Sequence, residues 1–522
     1  MTEPATADGY HATAPDAPAR PSAAETGPAT ANRLAPFAHW VWVVAGAVTA
    51  VLLGFAGRYG YHRDELYFLL CGRHLAWGFV DQPPLTPAIA RLTDVLAPGN
   101  LVVLRTPSAL VAGGCVLLAA LIAREVGGGR AAQLMAAVLT GTSAGLLAVC
   151  HLLSTTTLDF PVWLAVILLT LRIVRTGDTR WAVLIGLVCG VGLLNKYLVG
   201  LLAVGLVAGV LIAGPRRLLR DRWVLAGLVV AVVVVAPNVA WQLAHGLPQL
   251  DVVNEISSGD SSYTGRPAAL ALQLVLVSPI GAVVWITGLV ALFRRPAWRP
   301  YRALAWAWVV ILGLLLIGGG KGYYDAPLLL ALTAIGSVPM AERWSAGSSW
   351  LRLRFATFVV ICTVVDALLM LPIAPVAHLP AAVVAVNYDA GETVGWPALA
   401  DSVARVYRSL PAAERARATI LTANYGEAGA LARYGPARAL PTAYSGHMSV
   451  ADFGWPPVGA TVVIAIGFDE ESYLKRFFGS VQRAGSVDLR LDIDNDENGE
   501  PIWLCRTPNA PWPTLWPKLR HV

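Results

Sequence analysis

Residues 223–241, WVLAGLVVAVVVVAPNVAW, contain no charged side chain. A helix crossing the bilayer needs about 20 mostly apolar residues, and this run meets that length. It has no polar stripe to turn toward water, so it is a poor surface helix of a soluble protein. Its flanks give it a direction. Arg216, Arg217, Arg220 and Arg222 precede it, whereas the following loop, 242–268, carries Asp251, Glu255 and Asp260 against the single Arg266. Lys and Arg concentrate in cytoplasmic loops, so the segment runs from inside to outside.

Working outward, ten further apolar runs read as spans: 40–57, 105–123, 131–150, 158–174, 181–195, 198–213, 269–292, 302–319, 324–341 and 354–374. With the N-terminus inside, the inner loops collect Arg124 and Arg130; Arg172, Arg175 and Arg180; Arg294, Arg295, Arg299 and Arg302; and Arg343, Arg352 and Arg354. The outer loop 151–157 has no positive charge. A miscounted helix would invert this pattern downstream of the error. The composition agrees: of 522 residues, 56% are hydrophobic and 14% charged, against about 25% charged in soluble domains. Mean hydropathy is +0.59. A soluble protein and an extended disordered chain are both excluded. The net charge of +6 is scattered in short Arg clusters and does not point to nucleic acid. The six cysteines show no metal-binding spacing. Residues 1–36 read as a disordered cytoplasmic tail without a cleavable signal peptide.

Two regions stand outside the helix pattern. In the first outer loop, 58–104, residues 65–79 read as an interfacial amphipathic helix and 85–97 as a second, separated by Pro83-Pro84. In 376–522, apolar segments shorten and charge rises. ATILTA, TVVIAIGF, VDLRLDID and PIWLCRT read as strands, EAGALARYG and EESYLKRFFGSV as helices, and NDENGE as a turn. The expected architecture is a polytopic α-helical membrane protein with about eleven transmembrane helices (37–375) and a small extracytoplasmic α/β domain (376–522).

The topology gathers several ionisable residues at the outer face. Arg63-Asp64-Glu65 opens the first interfacial helix; adjacent carboxylates there either cap the helix or act in chemistry. Asp81 sits at the Pro-Pro corner, and Asp159 opens the fourth span. Lys196 and Lys321 end spans on the outer face, Lys321 within KGYYDAP beside Tyr324. Snorkelling accounts for a lysine at a helix end. These are two of only four lysines in the chain, however, and they lie on the side that positive charge avoids. A lipid phosphate would explain them. Carboxylates with cations at this face suit a general base for an acceptor hydroxyl and stabilisation of a leaving phosphate. Glu427 and His447 in the outer domain could touch an acceptor, but a first-turn position and a loop position account for them.

YGYHRDELYFLLCGRHLAWGFVDQPPL (59–85), LDFPVW (158–163), KGYYDAPLLLALTAIG (321–336) and the NYGEAGALARYG…YSGHMSVADFGWPP region resemble glycosyltransferase family 39. That family includes the protein O-mannosyltransferases and the aminoarabinose lipid A transferases. The resemblance spans roughly 55–520. It implies a GT-C fold and transfer of a sugar from a polyprenyl-phosphate donor, with inversion, to an extracytoplasmic acceptor. Asp64 and Glu65 match an essential Asp-Glu pair in the first loop, which makes Asp64 the candidate base and the pair the candidate catalytic acids. Asp159 matches an acid beside the site. Lys321 and Tyr324 match a Lys/Tyr segment near the donor phosphate. The aminoarabinose enzymes carry Lys just before the Pro-Pro, where this chain has Gln82; Arg63 or Lys196 would then contact the phosphate. No cofactor is assigned, and a divalent metal stays open. Two readings compete. A secondary transporter or flippase would show related halves and a midplane site, and a non-catalytic sensor would bind ligand in its outer domain.

Overall fold

All eleven apolar runs are helical in the computed structural model, which describes residues 1–2, 34–258, 266–491, 493 and 495–522. In chain order the helices are α1 Trp40–Phe55, α2 Arg63–Arg73, α3 Leu85–Leu96, α4 Leu101–Glu125, α5 Arg130–Gly141, α6 Ala144–Cys150, α7 Thr155–Thr176, α8 Trp181–Leu193, α9 Leu198–Ala213, α10 Arg222–Ala244, α11 Pro248–Ser258, α12 Arg266–Val275, α13 Ser278–Arg294, α14 Arg302–Gly318, α15 Ala326–Ala346 and α16 Ser349–Met370. Then come α17 Ala381–Val386, α18 Trp396–Ser409, α19 Ala412–Arg415, α20 Tyr425–Tyr434, α21 Glu471–Lys475 and α22 Trp512–Leu519. By length and composition, five described helices can cross a membrane alone, or seven if each of two bent pairs is one span. The pairs are α5–α6, bent by 55°, and the apolar part of α12 with α13, bent by 99°. The expected tail lies almost wholly outside the described residues.

Lipid offers no hydrophobic gain for bringing helices together, so close backbone packing at small residues must do it. A Cβ on Gly186 of α8 would lie 1.9 Å from the Gly227 carbonyl oxygen of α10, and one on Gly209 of α9 would lie 2.0 Å from the Ala303 carbonyl oxygen of α14. Polar caps start the helices that leave the loops. The Asn100, Ser154 and Ser348 side chains accept backbone N–H groups of α4, α7 and α16.

The first loop differs from its expected form in one respect. Its leading helix ends at Arg73 instead of continuing to residue 79. The Trp77 and Phe79 carbonyls accept from Asn238 and Gln242 of α10 instead of closing helical turns.

The C-terminal region holds a five-stranded sheet of order β2-β1-β3-β5-β4, formed by β1 Ala418–Thr422, β2 Ala443–Ser445, β3 Val462–Ile466, β4 Phe478–Ser486 and β5 Pro501–Pro508. β1 pairs in parallel with β2 and β3; β5 runs antiparallel to β3 and β4. Two sequence expectations fail here. EESYLKRFFGSV is helical only over Glu471–Lys475, after which β4 begins at Phe478. VDLRLDID buries Val487 and Leu489 in alternation but lies outside the named strands. A period of two marks alternate burial; it does not by itself supply a ladder partner.

Ala35–Val522 form one compact unit. The join is α2 lying along α20. Added Cβ atoms on Gly426 and Gly429 would come within 2.9 Å of Arg63 Cβ and 2.8 Å of Leu66 Cβ. Any larger residue would push the helices apart.

Candidate active site

α2 begins with a reciprocal cap. His62 Nδ1 accepts the Asp64 N–H, and Glu65 Oε2 accepts the His62 N–H. The cap is therefore His62, not Asp64, and the Asp64 carboxylate is not occupied in starting the helix. Its side chain is 35% exposed. Its hydrogen-bond donor is the Tyr425 phenol of α20, 2.8 Å from Oδ1.

Glu65 is placed quite differently. It is fully buried. Arg105 of α4 donates from Nε to Oε1 and from Nη2 to Oε2, each at 2.8 Å, and the Leu153 N–H donates to Oε1 at 2.9 Å. With the His62 N–H, four donors occupy its two oxygens. Glu65 is thus a structural anchor that fixes α2 to α4 and to the approach of α7, and the pair of candidate acids narrows to Asp64.

The cations come from connectors at the same helix ends. Asn195, between α8 and α9, accepts from Thr86 and donates to the Thr155 carbonyl, both at 2.7 Å. This fixes the adjoining Lys196, whose Nζ donates to Thr156 Oγ1 at 3.0 Å and stands 5.1 Å from the centre of the Tyr324 ring and 5.8 Å from that of Tyr323. Lys196 lies in the electrostatic reach of Asp159, Lys321 and Asp64. Asp159 on α7 is 2% exposed, with Oδ1 lacking a hydrogen-bond partner among the described residues; Lys196 is the cation that bears on it electrostatically. The Lys321 side chain has no hydrogen-bond or ion-pair partner among the described residues; its carbonyl accepts the Tyr324 N–H at 3.1 Å. Asp325, four residues further on, stands just before α15 and accepts from Gln273 at 2.9 Å; Gln273 also donates to the Gly322 carbonyl, which steadies the lysine-bearing loop.

Asp64, Asp159, Lys196, Lys321 and Tyr324 thus converge from four parts of the sequence. Arg63 turns away. Its Nη1 stands 3.4 Å from Glu392 and 3.5 Å from Asp496, and its guanidinium lies over Tyr388. Gln82 is 3% exposed, and its amide atoms have no partner among the described residues. Of the candidate cations, Lys196 and Lys321 are the two that remain at these helix ends. Asp81 accepts from the Tyr67 phenol at 2.5 Å, and burial pushes its carboxyl up to about 6. Among the described residues no group of His, Cys, Asp and Glu is arranged to hold a metal. A cavity of about 300 Å³ bounded by Leu70, Arg73, His74, Leu431, Tyr444 and Phe453 lies beyond the Leu66–Gly429 contact and includes none of these groups.

A raised folded-state pKa favours the protonated acid. The stability Asp81 contributes is therefore full below about 4 and lost as the pH rises through about 6. Asp81→Asn keeps an acceptor for Tyr67 and removes the charge. The variant should gain about 3 kcal/mol over the parent at pH 7.5 and little at pH 4. Thermal unfolding in detergent at both pH values measures this; equal gains at both would refute it.

Tyr425, Arg105 and Thr156 were not singled out from the sequence. Arg105 lies inside an apolar run, where a lone Arg signals a buried acid partner. Tyr425 opens NYGEAG, in which Glu427 drew notice instead; Glu427 completes a cap with Asn424.

Comparison with known proteins fits this arrangement. Residues 81–241 match the family model described as dolichyl-phosphate-mannose-protein mannosyltransferase. The match includes Asp81, Asp159 and Lys196 but not Asp64 or Lys321. Among solved structures, the chain is similar to ArnT from Cupriavidus metallidurans bound to undecaprenyl phosphate, with TM-score 0.59 and 15% identity over 89% of this chain and 97% of that one. The apo state of ArnT gives TM-score 0.56 and 16% identity over 89% and 96%. The arabinofuranosyltransferase AftD from Mycobacteria gives TM-score 0.53 and 16% identity over 92% of this chain and 41% of that one. No curated protein matches the sequence significantly. The chain is a multi-pass membrane protein with the ArnT-like, GT-C-type fold.

Proposed function

We propose that this chain is a membrane glycosyltransferase that moves a sugar from a polyprenyl-phosphate donor to an acceptor hydroxyl outside the cytoplasm, with inversion. The observation that carries the reading is a partly exposed acid, Asp64, set at the same helix ends as two lysines, one of them with an unpartnered side chain among the described residues. The fold likeness supports it, and the ArnT structure named above holds undecaprenyl phosphate. Asp64 takes the proton of the acceptor hydroxyl as its oxygen attacks the anomeric carbon. The bond from that carbon to the phosphate oxygen breaks on the opposite face. Lys196 and Lys321 receive the charge left on the polyprenyl phosphate. The loop charges support an inside N-terminus and an outside sheet region.

The test is reconstitution of the purified protein with polyprenyl-phosphate pentose and hexose donors, with release of polyprenyl phosphate as the readout. Acceptor-dependent release supports the reading. No release from any donor, with lipid crossing the bilayer instead, would establish the flippase alternative. Lys321→Met should raise the donor KM about tenfold to a hundredfold, because a charge-assisted contact is worth about 1.5–3 kcal/mol. It should leave folding intact, since no protein group depends on Lys321. Lys196→Met would also strand the Asp159 carboxylate and should lower thermal stability as well. Donor titrations and melting curves separate the two.

A further inference from the structure

Four rings from distant parts of the chain are stacked in one column. Tyr67 of α2 lies 4.6 Å from Tyr425, Tyr425 lies 5.0 Å from His447, and His447 lies 4.9 Å from His521, with interplanar angles of 27°, 13° and 9°. The two phenols at one end of the column serve the two first-loop acids: Tyr67 donates to Asp81, and Tyr425 donates to Asp64. The imidazoles at the other end are held by backbone. His447 Nδ1 accepts the Tyr425 N–H at 3.3 Å, and the Ser445 hydroxyl accepts the His447 N–H at 3.2 Å. The chain around His521 pairs with Gly446 and Met448, each at 3.0 Å. Tyr425 is also the first residue of α20, which the Gly426 and Gly429 contacts press against α2. Its ring therefore has stacking partners on both faces and a fixed backbone, and its hydroxyl has one destination.

We propose that Tyr425 is a positioning residue for Asp64, supplied to the membrane-embedded site by the sheet region and held in place by the ring column. The proposal rests on the reading of Asp64 as the base. A carboxylate free to rotate about its side-chain torsions spends little time aimed at one hydroxyl, and small misplacements of a reacting group cost up to about a hundredfold in rate. One phenol bond to Oδ1 removes that freedom and leaves Oδ2 for the acceptor. The same contact makes this region part of the chemistry and not only a surface for recognition.

Tyr425→Phe keeps the stack and removes the hydroxyl. Expected are a fall in kcat of about tenfold to a hundredfold, a donor KM within about twofold of the parent, and an unchanged melting temperature. The other groups bearing on Asp64 stay in place: His62 and Arg63 from α2, Asp81 from the loop, and Lys196 and Tyr323 from the helix ends. His447→Leu, which breaks the column further out, should give a smaller loss of the same kind. Tyr425→Phe with parental kcat, alongside an inactive Asp64→Asn, would overturn the proposal and leave the base assignment standing. So would a loss of activity that only tracks a loss of thermal stability. An Asp64→Asn variant that still transfers sugar would instead remove the base assignment itself.

Discussion

Asp64→Asn is expected to lower kcat by about 10²–10⁴, the range that general-base catalysis contributes, while the protein accumulates and melts like its parent. The geometry keeps the two effects apart. Asp64 sits inside the first turn of α2, but the capping is done by His62 and Glu65. The hydrogen bond that the Asp64 side chain receives comes from Tyr425, and an asparagine oxygen can accept it equally well. Donor binding should survive, since Lys196 and Lys321 are untouched. Initial rates of polyprenyl-phosphate release at saturating donor, with donor affinity measured separately, provide the check. Transfer within a few-fold of the parent would place the base elsewhere.

Glu65→Gln, one residue along, should fail in the opposite manner. Arg105 is 1% exposed and also donates to the carbonyls of Ala56, Arg58 and Gly60, so it ties the exit of α1 to α2. Removing its counter-charge leaves a guanidinium buried without compensation, which costs about 3–5 kcal/mol. That is a large part of the stability of an ordinary domain. The variant should be poorly expressed and should melt far below the parent in detergent. Arg105→Met alone should be comparably harmful, and combining it with Glu65→Leu should recover part of the loss, because removing both charges leaves neither stranded. A Glu65→Gln protein that folds normally yet transfers no sugar would return Glu65 to the reacting groups. Adjacent acids with separable phenotypes, one in rate and one in folding, are the sharpest test of this site.

The membrane architecture was legible because one physical requirement dominates it. A span must be long and apolar, and the Arg-bearing loops mark its ends; the runs so identified fall on helices, two of them broken. The number of spans was less legible, since five helices are long and apolar enough alone and up to seven with the bent pairs, against the eleven expected. The gathering of Asp64, Asp159, Lys196 and Lys321 followed from the same count, since alternate helix ends must meet. What each acid does there was not legible. Asp64 and Glu65 are neighbours in sequence, but on a helix adjacent residues point about 100° apart. One therefore meets the opening while the other meets Arg105, a partner 40 residues away. Arg63 was likewise assigned by proximity to the motif, and the acids that claim it, Glu392 and Asp496, lie in the sheet region. β4 escaped notice because it is an edge strand with mostly exposed side chains, without an apolar alternation to announce it.

The hydrogen bond from Tyr425 to Asp64 joins residues 361 positions apart, and this has a consequence for the timing of synthesis. At about 5–20 residues per second, roughly twenty to seventy seconds separate the emergence of the two partners from the ribosome. During that interval the earlier helices can enter the membrane and the two lysines can take their places, yet the acid still lacks the phenol that aims it. On the proposed function, a nascent or prematurely terminated chain would bind a lipid-linked sugar but transfer it slowly, and full activity would begin only after the last part of the chain has folded onto the first.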